Sequence, residues 1–273
     1  MTNFGGLESP SDHRDFKPEE LLGKSGATPE SFSCDIAEVP VYMQAKQPAC
    51  GGHAGTVLFQ ALAQNGEILS PRFVYALCKK IDGLPDQQGT TARAILQVLQ
   101  RYGICNDALF PNDTSLSYEQ YADYTLIPNA AYVDALQRRI GAYARLENPT
   151  YQTIKDSIYQ NNVVLILGQI GNEWWTPSWA AKDILPLKPP AQVVSGHFWV
   201  NYGFDTSTTI LRNSWSNHWA NTGNGEYAID YQPFIKEAWI AQLAPKALRD
   251  IQTKLTAIQK VVNLIKQLYD KSI

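Results

Sequence analysis

Ser195-Gly196-His197-Phe198-Trp199-Val200-Asn201-Tyr202-Gly203-Phe204-Asp205, followed by Ile210-Leu211-Arg212-Asn213-Ser214-Trp215, is the stretch around which the chain is organised. His197 to Tyr202 is a largely apolar extended run, and Thr209 to Arg212 is a second. Gly203 to Thr208 carries Gly, Asp and Ser, which tolerate positive φ or bond their own backbone in turns. The two runs therefore read as strands of a hairpin. Antiparallel neighbours bring strand ends together, so His197 and Asn213 are expected side by side. A histidine held by an amide oxygen is half of a nucleophilic apparatus, and the nucleophile must come from elsewhere in the chain.

Val39-Pro40-Val41-Tyr42-Met43-Gln44 leads, in extended form, to Pro48-Ala49-Cys50-Gly51-Gly52-His53. After Cys50 the period changes. Ala54, Val57, Leu58, Ala61 and Leu62 recur at three and four, the spacing of a buried helix face. Cys50 thus lies at the start of a core helix, where free N–H groups and the positive dipole end favour a thiolate. The bland reading is a small cysteine that only packs. The chemical one makes Cys50 the nucleophile, His197 its proton acceptor and donor, and Asn213 the group that orients the imidazole. Gln44 and the Cys50 N–H are then the expected donors to an oxyanion.

Residues 1–33, rich in Gly, Pro, Ser and charge, read as an irregular arm. Ser70 and Pro71 start a second helix, and Thr90 or Thr91 caps a third that Gly103 closes. Residues 130–144 look helical, as do 153–160. Val163 to Leu167 is a buried strand, and Gly225 to Ile229 another. Strands that follow helices, rather than alternate with them, indicate α+β. The loop from Gly171 to Pro190 holds Trp174, Trp175 and Trp179, and reads as a cleft wall or a flap. From Pro245 onward Ile251, Leu255, Ile258, Val262, Ile265 and Tyr269 form an a/d seam. Three uses fit this C-terminal helix: self-association or contact with a partner protein, packing onto the body, or lying on a membrane surface.

At 273 residues with 44% hydrophobic and 18% charged content, the chain has ample material for a core. A net charge of −3 gives no basic footprint, so no nucleic-acid partner is expected. Cys34, Cys50, Cys78 and Cys105 form no CxxC pair, and neither a metal nor a cofactor is expected. Cys78 and Cys105 read as free thiols in a reducing compartment, with one disulfide as the other option. The first ten residues have no signal-peptide pattern, which points to a cytoplasmic or virion-associated protein.

The order Gln44, Cys50, His197, Asn213-Ser214-Trp215 resembles the papain-like cysteine peptidases (the C1 type). Supporting pieces run from residue 12 to about residue 231. Asp12-His13-Arg14-Asp15-Phe16 looks like the arm of bacterial and phage-type members, and Leu69-Ser70-Pro71-Arg72-Phe73 is similar to the family's second helix. Gly196-His197 and Asn213-Ser214-Trp215, with Trp219 and Gly225-Glu226-Tyr227, are the most specific part. The resemblance implies a two-lobe α+β fold, with an N-terminal helical lobe, a C-terminal antiparallel β-rich lobe and the active cleft between them. It places a peptidase domain over 1–244, including the arm 1–33, before the amphipathic helix 245–273. It implies a cysteine endopeptidase acting on polypeptides, with Cys50, His197, Asn213 and Gln44 catalytic. Gly89, in Gln88-Gly89-Thr90, and Trp215 are implied on the substrate side. The motif fits in two registers: Gln44 with Cys50, or Gln47 with His53 in the nucleophile's place. The second describes a catalytically inactive module with a structural or binding role. Only the first keeps both chemical groups.

Overall fold

The computed structural model describes residues 5–12, 15, 17–21, 26–161, 163–175, 183–216 and 219–245. The heptad seam after Pro245 and Trp179 lie outside the described residues. The arm contributes β1 (Gly6–Leu7), α1 (Pro18–Leu21) and β2 (Phe32–Ser33). A helical lobe follows: α2 (Cys50–Ala63), α3 (Pro71–Ile81), β3 (Thr90–Thr91), α4 (Ala92–Arg101), α5 (Tyr118–Ala122) and α6 (Asn129–Ala135). The second lobe holds β4 (Ile140–Arg145), α7 (Tyr151–Asn161), β5 (Val164–Ile170), β6 (Ile184–Leu187), β7 (Ser195–Phe204), β8 (Thr208–Arg212), β9 (Asn224–Ala228) and β10 (Ile235–Leu243).

The helix starts follow from their caps. Ser70 Oγ accepts the Phe73 N–H at 3.0 Å with Pro71 in the first turn, and Thr91 Oγ1 accepts the Ala94 N–H at 3.3 Å. Gly52 and Gly55 let α2 approach its neighbours closely. A Cβ on Gly52 would stand 2.5 Å from Pro71 O, and one on Gly55 2.5 Å from Ile95 Cγ2. The large sheet runs β4-β10-β5-β7-β8-β9-β6, with β2 added on β7. Its pairs are antiparallel except β6 with β9. Side chains alternate between two cores, as the period of a strand requires. Leu165, Leu167, Phe198, Val200 and Trp239 face α2 to α4, whereas Val164, Ile166, Trp199 and Ile240 face α7 and the aromatic cluster behind it.

The helix expected over 130–144 is corrected. It ends at Ala135, and Ile140–Arg145 forms β4 on the edge of the sheet. Arg138 bonds Asp134 Oδ2 at 2.9 Å at the helix end, and the next residues pair along β10. A ladder to β10 outweighs local helix propensity, as tertiary pairing commonly does. Within the long tryptophan loop, Ile184–Leu187 forms β6, which pairs in parallel with β9. All four cysteines are free and buried.

Candidate active site

The hairpin and the helix start meet as their sequences imply. β7 begins at Ser195, β8 ends at Arg212, and the next residue carries the amide. His197 Nε2 donates to Asn213 Oδ1 at 2.8 Å, and the Ser214 N–H donates to the same oxygen at 2.7 Å. Two donors on one oxygen fix the orientation of the amide. The bond on Nε2 makes Nδ1 the basic nitrogen of the neutral ring. Trp215 lies over the ring at 4.6 Å between centroids, 30° from parallel, and the fully buried Trp174 stands edge-on at 6.1 Å. Trp219 Nε1 donates to Trp174 O at 2.8 Å, so Trp174 is held in place behind the histidine.

Cys50 is the first residue of α2. Its thiol makes backbone hydrogen-bond contacts with Gly51 and with Phe198, the residue after His197. The helix-start position leads one to expect a depressed thiol pKa. The structure reverses this: burial pushes Cys50 up to about 12, outweighing the lowering by nearby backbone groups. Burial likewise lowers His197 to about 4, and the neighbouring His53 adds to the fall. In this conformation the pair is thiol and neutral imidazole.

Gln44 is tied to the same edge. Its N–H donates to Ser214 O at 2.9 Å, and Ser214 Oγ donates to Gln44 Oε1 at 2.8 Å. This sets the amide so that Nε2 reaches Gln47 O at 3.0 Å with one of its two hydrogens. Gln47 turns elsewhere, donating to Thr114 O at 3.3 Å and Leu116 O at 2.8 Å. The His53 ring is also engaged, with Nδ1 at 2.9 Å from Ala49 O and Nε2 at 3.2 Å from Asn112 Nδ2. Asn112 Oδ1 in turn accepts Tyr121 OH at 2.6 Å.

The cleft is filled by the chain's own arm. β1 pairs in parallel with β3, and the Thr90 N–H donates to Gly5 O at 2.9 Å. Gly6 lies against the opposite wall, where an added Cβ would be 2.7 Å from both Gly196 C and His197 N. Farther along, Ser9 donates through its N–H and its Oγ to the fully buried Glu237 carboxylate. Arg93 joins the anchor, donating through its N–H to Ser9 Oγ at 3.2 Å and through Nε to Asp15 Oδ1 at 3.0 Å. Gly89, with φ of 99°, faces Gly5, but its own N–H goes to Tyr75 OH at 3.0 Å. The backbone donor to the extended chain is its neighbour Thr90. Sequence reasoning singled out this loop through Gly89. It missed the arm's path, because Gly6 is selected for what it lacks and only its neighbours show why.

The two buried histidines carry a pH consequence. His53 is lowered to about 4 by burial, as His197 is, against 6.5 for a free ring. The unfolded chain then holds more protons than the folded one between pH 6.5 and 4. Stability is therefore full above about pH 6.5 and falls as the pH drops towards 4. Each ring accounts for up to about 3 kcal/mol of that loss. Urea midpoints measured from pH 7 to 4.5 should fall steadily, and a flat profile would contradict buried neutral rings.

No protein-family model and no curated protein sequence matches the chain. Solved structures do. Xylellain, a cysteine protease from Xylella fastidiosa, superposes with a TM-score of 0.76 at 20% identity, covering 89% of this chain and 97% of that one. Digestive procathepsin L 3 of the Tenebrio molitor larval midgut gives 0.67 at 15% identity, covering 89% and 77%. The bromelain protease of Ananas comosus, in complex with the E64 inhibitor, gives 0.58 at 17%, covering 79% and 100%. The chain therefore has the papain-like fold. Among the described residues, no helix is long and apolar enough to cross a membrane.

Proposed function

We propose that the chain is a papain-like cysteine peptidase that cuts within polypeptides, and that its own arm holds it latent. One observation carries the reading. The Cys50 thiol meets the backbone of Phe198, beside the His197 that holds a 2.8 Å bond to Asn213. The engagement of Gln47 and His53 elsewhere supports the register of Gln44 with Cys50. An extended main chain already lies in the cleft, which supports cleavage inside a polypeptide rather than at its end.

When the arm leaves, water and substrate replace it, and the proton moves from Cys50 to His197 Nδ1. The thiolate attacks the scissile carbonyl carbon, and its π pair moves to oxygen. Gln44 Nε2–H and the Cys50 N–H are the donors for that oxyanion. The imidazolium gives its Nδ1 proton to the leaving amine, leaving a thioester on Cys50. Water then attacks the thioester as Nδ1 takes its proton, and the carboxylic acid departs with the thiol restored. Asn213 keeps the ring in the tautomer these transfers need.

A thiol-directed epoxide tests the assignment. On the Gly6→Ala chain, whose arm leaves the cleft more often, mass mapping at neutral pH should find the label on Cys50 ahead of Cys34, Cys78 and Cys105, which stay buried with raised pKa values. Even labelling of all four would remove the activated-thiolate claim. Absence of label on an arm-released chain would favour a catalytically inert binding module.

A further inference from the structure

α3 ends at Ile81, and nine residues later the chain reaches the cleft edge at Thr90. Nothing covalent holds this loop, since all four cysteines are free. Its centre is instead an ammonium. Lys79 Nζ donates to Asp82 Oδ2 at 2.9 Å, Leu84 O at 2.7 Å, Gln87 O at 2.8 Å and Gly89 O at 3.0 Å. Three N–H groups serve four acceptors, so at least one hydrogen is shared between two of them and the ammonium has no donor to spare. The Lys79 side chain is 6% exposed and that of Asp82 0%. The other Asp82 oxygen accepts the Leu84 N–H at 2.9 Å, and Thr90 Oγ1 donates to Asp82 Oδ2 at 3.1 Å.

Thr90 thus stands between two partners. Its hydroxyl is fixed by the carboxylate that pairs with Lys79, and its N–H binds the main chain in the cleft. We propose that Lys79 and Asp82 are positioning residues that set the angle of the Thr90 N–H, and so the affinity of the cleft for an extended polypeptide. The arm is the ligand in the latent state, and a substrate segment takes its place afterwards. The second half rests on the peptidase reading, whereas the first does not. Charged hydrogen bonds of this kind are the strong ones, and in a nearly dry site their geometry is the stiffest available to a loop. The helices on either side have their own packing through Leu77, Cys78, Ile95 and Leu99, so the clamp governs the edge rather than the lobe.

Lys79→Met keeps the length of the side chain and removes the donors, and Asp82→Asn removes the charge that receives them. Each is made in the full chain. The first readout needs no catalysis: alkylation of Cys50 by iodoacetamide should quicken about tenfold as the arm opens more often, with the thermal midpoint held within a few degrees. The second is made in a Gly6→Ala background. There KM for a peptide substrate should rise about tenfold while kcat stays within about twofold, the mark of lost uniform binding. Unchanged Cys50 alkylation in both variants overturns the proposal whether or not hydrolysis is ever seen. So does a fall in kcat that tracks a fall in thermal midpoint, which marks a merely structural lysine. Faster alkylation without any hydrolysis sustains the clamp and counts against the peptidase reading alone.

Discussion

Cys50→Ala in the full chain is expected to lower peptide hydrolysis by at least about four orders of magnitude, while His53→Asn costs less than about tenfold. Removing a nucleophile abolishes the covalent route, and what survives is the background from binding and oxyanion donors. The two substitutions are a matched pair, because the sequence offers both residues for the same role. Their surroundings differ. Cys50 opens α2 and contacts the backbone beside His197. His53 lies one turn further on, with its ring between Ala49 O and Asn112. Asparagine at 53 removes any base but leaves Cys50 at the helix start. Steady-state hydrolysis of a quenched peptide library, with the folding of each variant checked by circular dichroism, reads the outcome. Equal silence of the parent chain and Cys50→Ala, with both folded, would favour the second register and its inactive module. The thermal midpoint of Cys50→Ala should stay close to that of the parent, since a thiol replaced by a methyl leaves little volume unfilled.

How much of this could be read beforehand depended on whether a residue's role is local. Ser70, Pro71 and Thr91 act through bonds within one turn, and their helix starts were legible as written. His197 and Asn213 flank a hairpin whose turn chemistry is local too, with Asp205 Oδ1 accepting the Ser207 and Thr208 N–H groups at 2.7 Å. β10 was passed over, although it pairs with both β4 and β5. Glu237 interrupts its apolar run. It is fully buried because Ser9, from the other end of the chain, and Trp239 Nε1 at 2.7 Å satisfy its carboxylate. β4 failed for the same reason, as its partner strand lies about a hundred residues away. The pKa of Cys50 was misjudged by a local argument as well. Nearby backbone groups lower it, but burial, which no local pattern announces, raises it more.

The arm yields the second large effect. Gly6→Ala in the full chain should raise activity about ten- to a hundredfold. A Cβ at residue 6 would stand 2.7 Å from Gly196 C and His197 N, and both are backbone atoms in a strand paired there with β5. They cannot yield as the end of a flexible side chain does. Overpacking of this kind costs about 1–3 kcal/mol, and the whole cost falls on the state in which the arm occupies the cleft. The open state has no such contact. The equilibrium therefore shifts towards it by roughly the same free energy, which is the tenfold to hundredfold range. Gly26→Ala is the control, because a Cβ there meets nothing within 4 Å. The Ser9 anchor on Glu237 predicts the same direction for Ser9→Ala, through lost hydrogen bonds rather than a clash. Burial is what holds Cys50 near 12 and His197 near 4, so arm release should also bring the thiol's alkylation pH midpoint down, by a shift large enough to see in a pH series. If Gly6→Ala leaves both hydrolysis and the alkylation profile of Cys50 where they were, at an unchanged thermal midpoint, the arm does not govern the site. A gain in both places the control of the enzyme in a single missing methyl group.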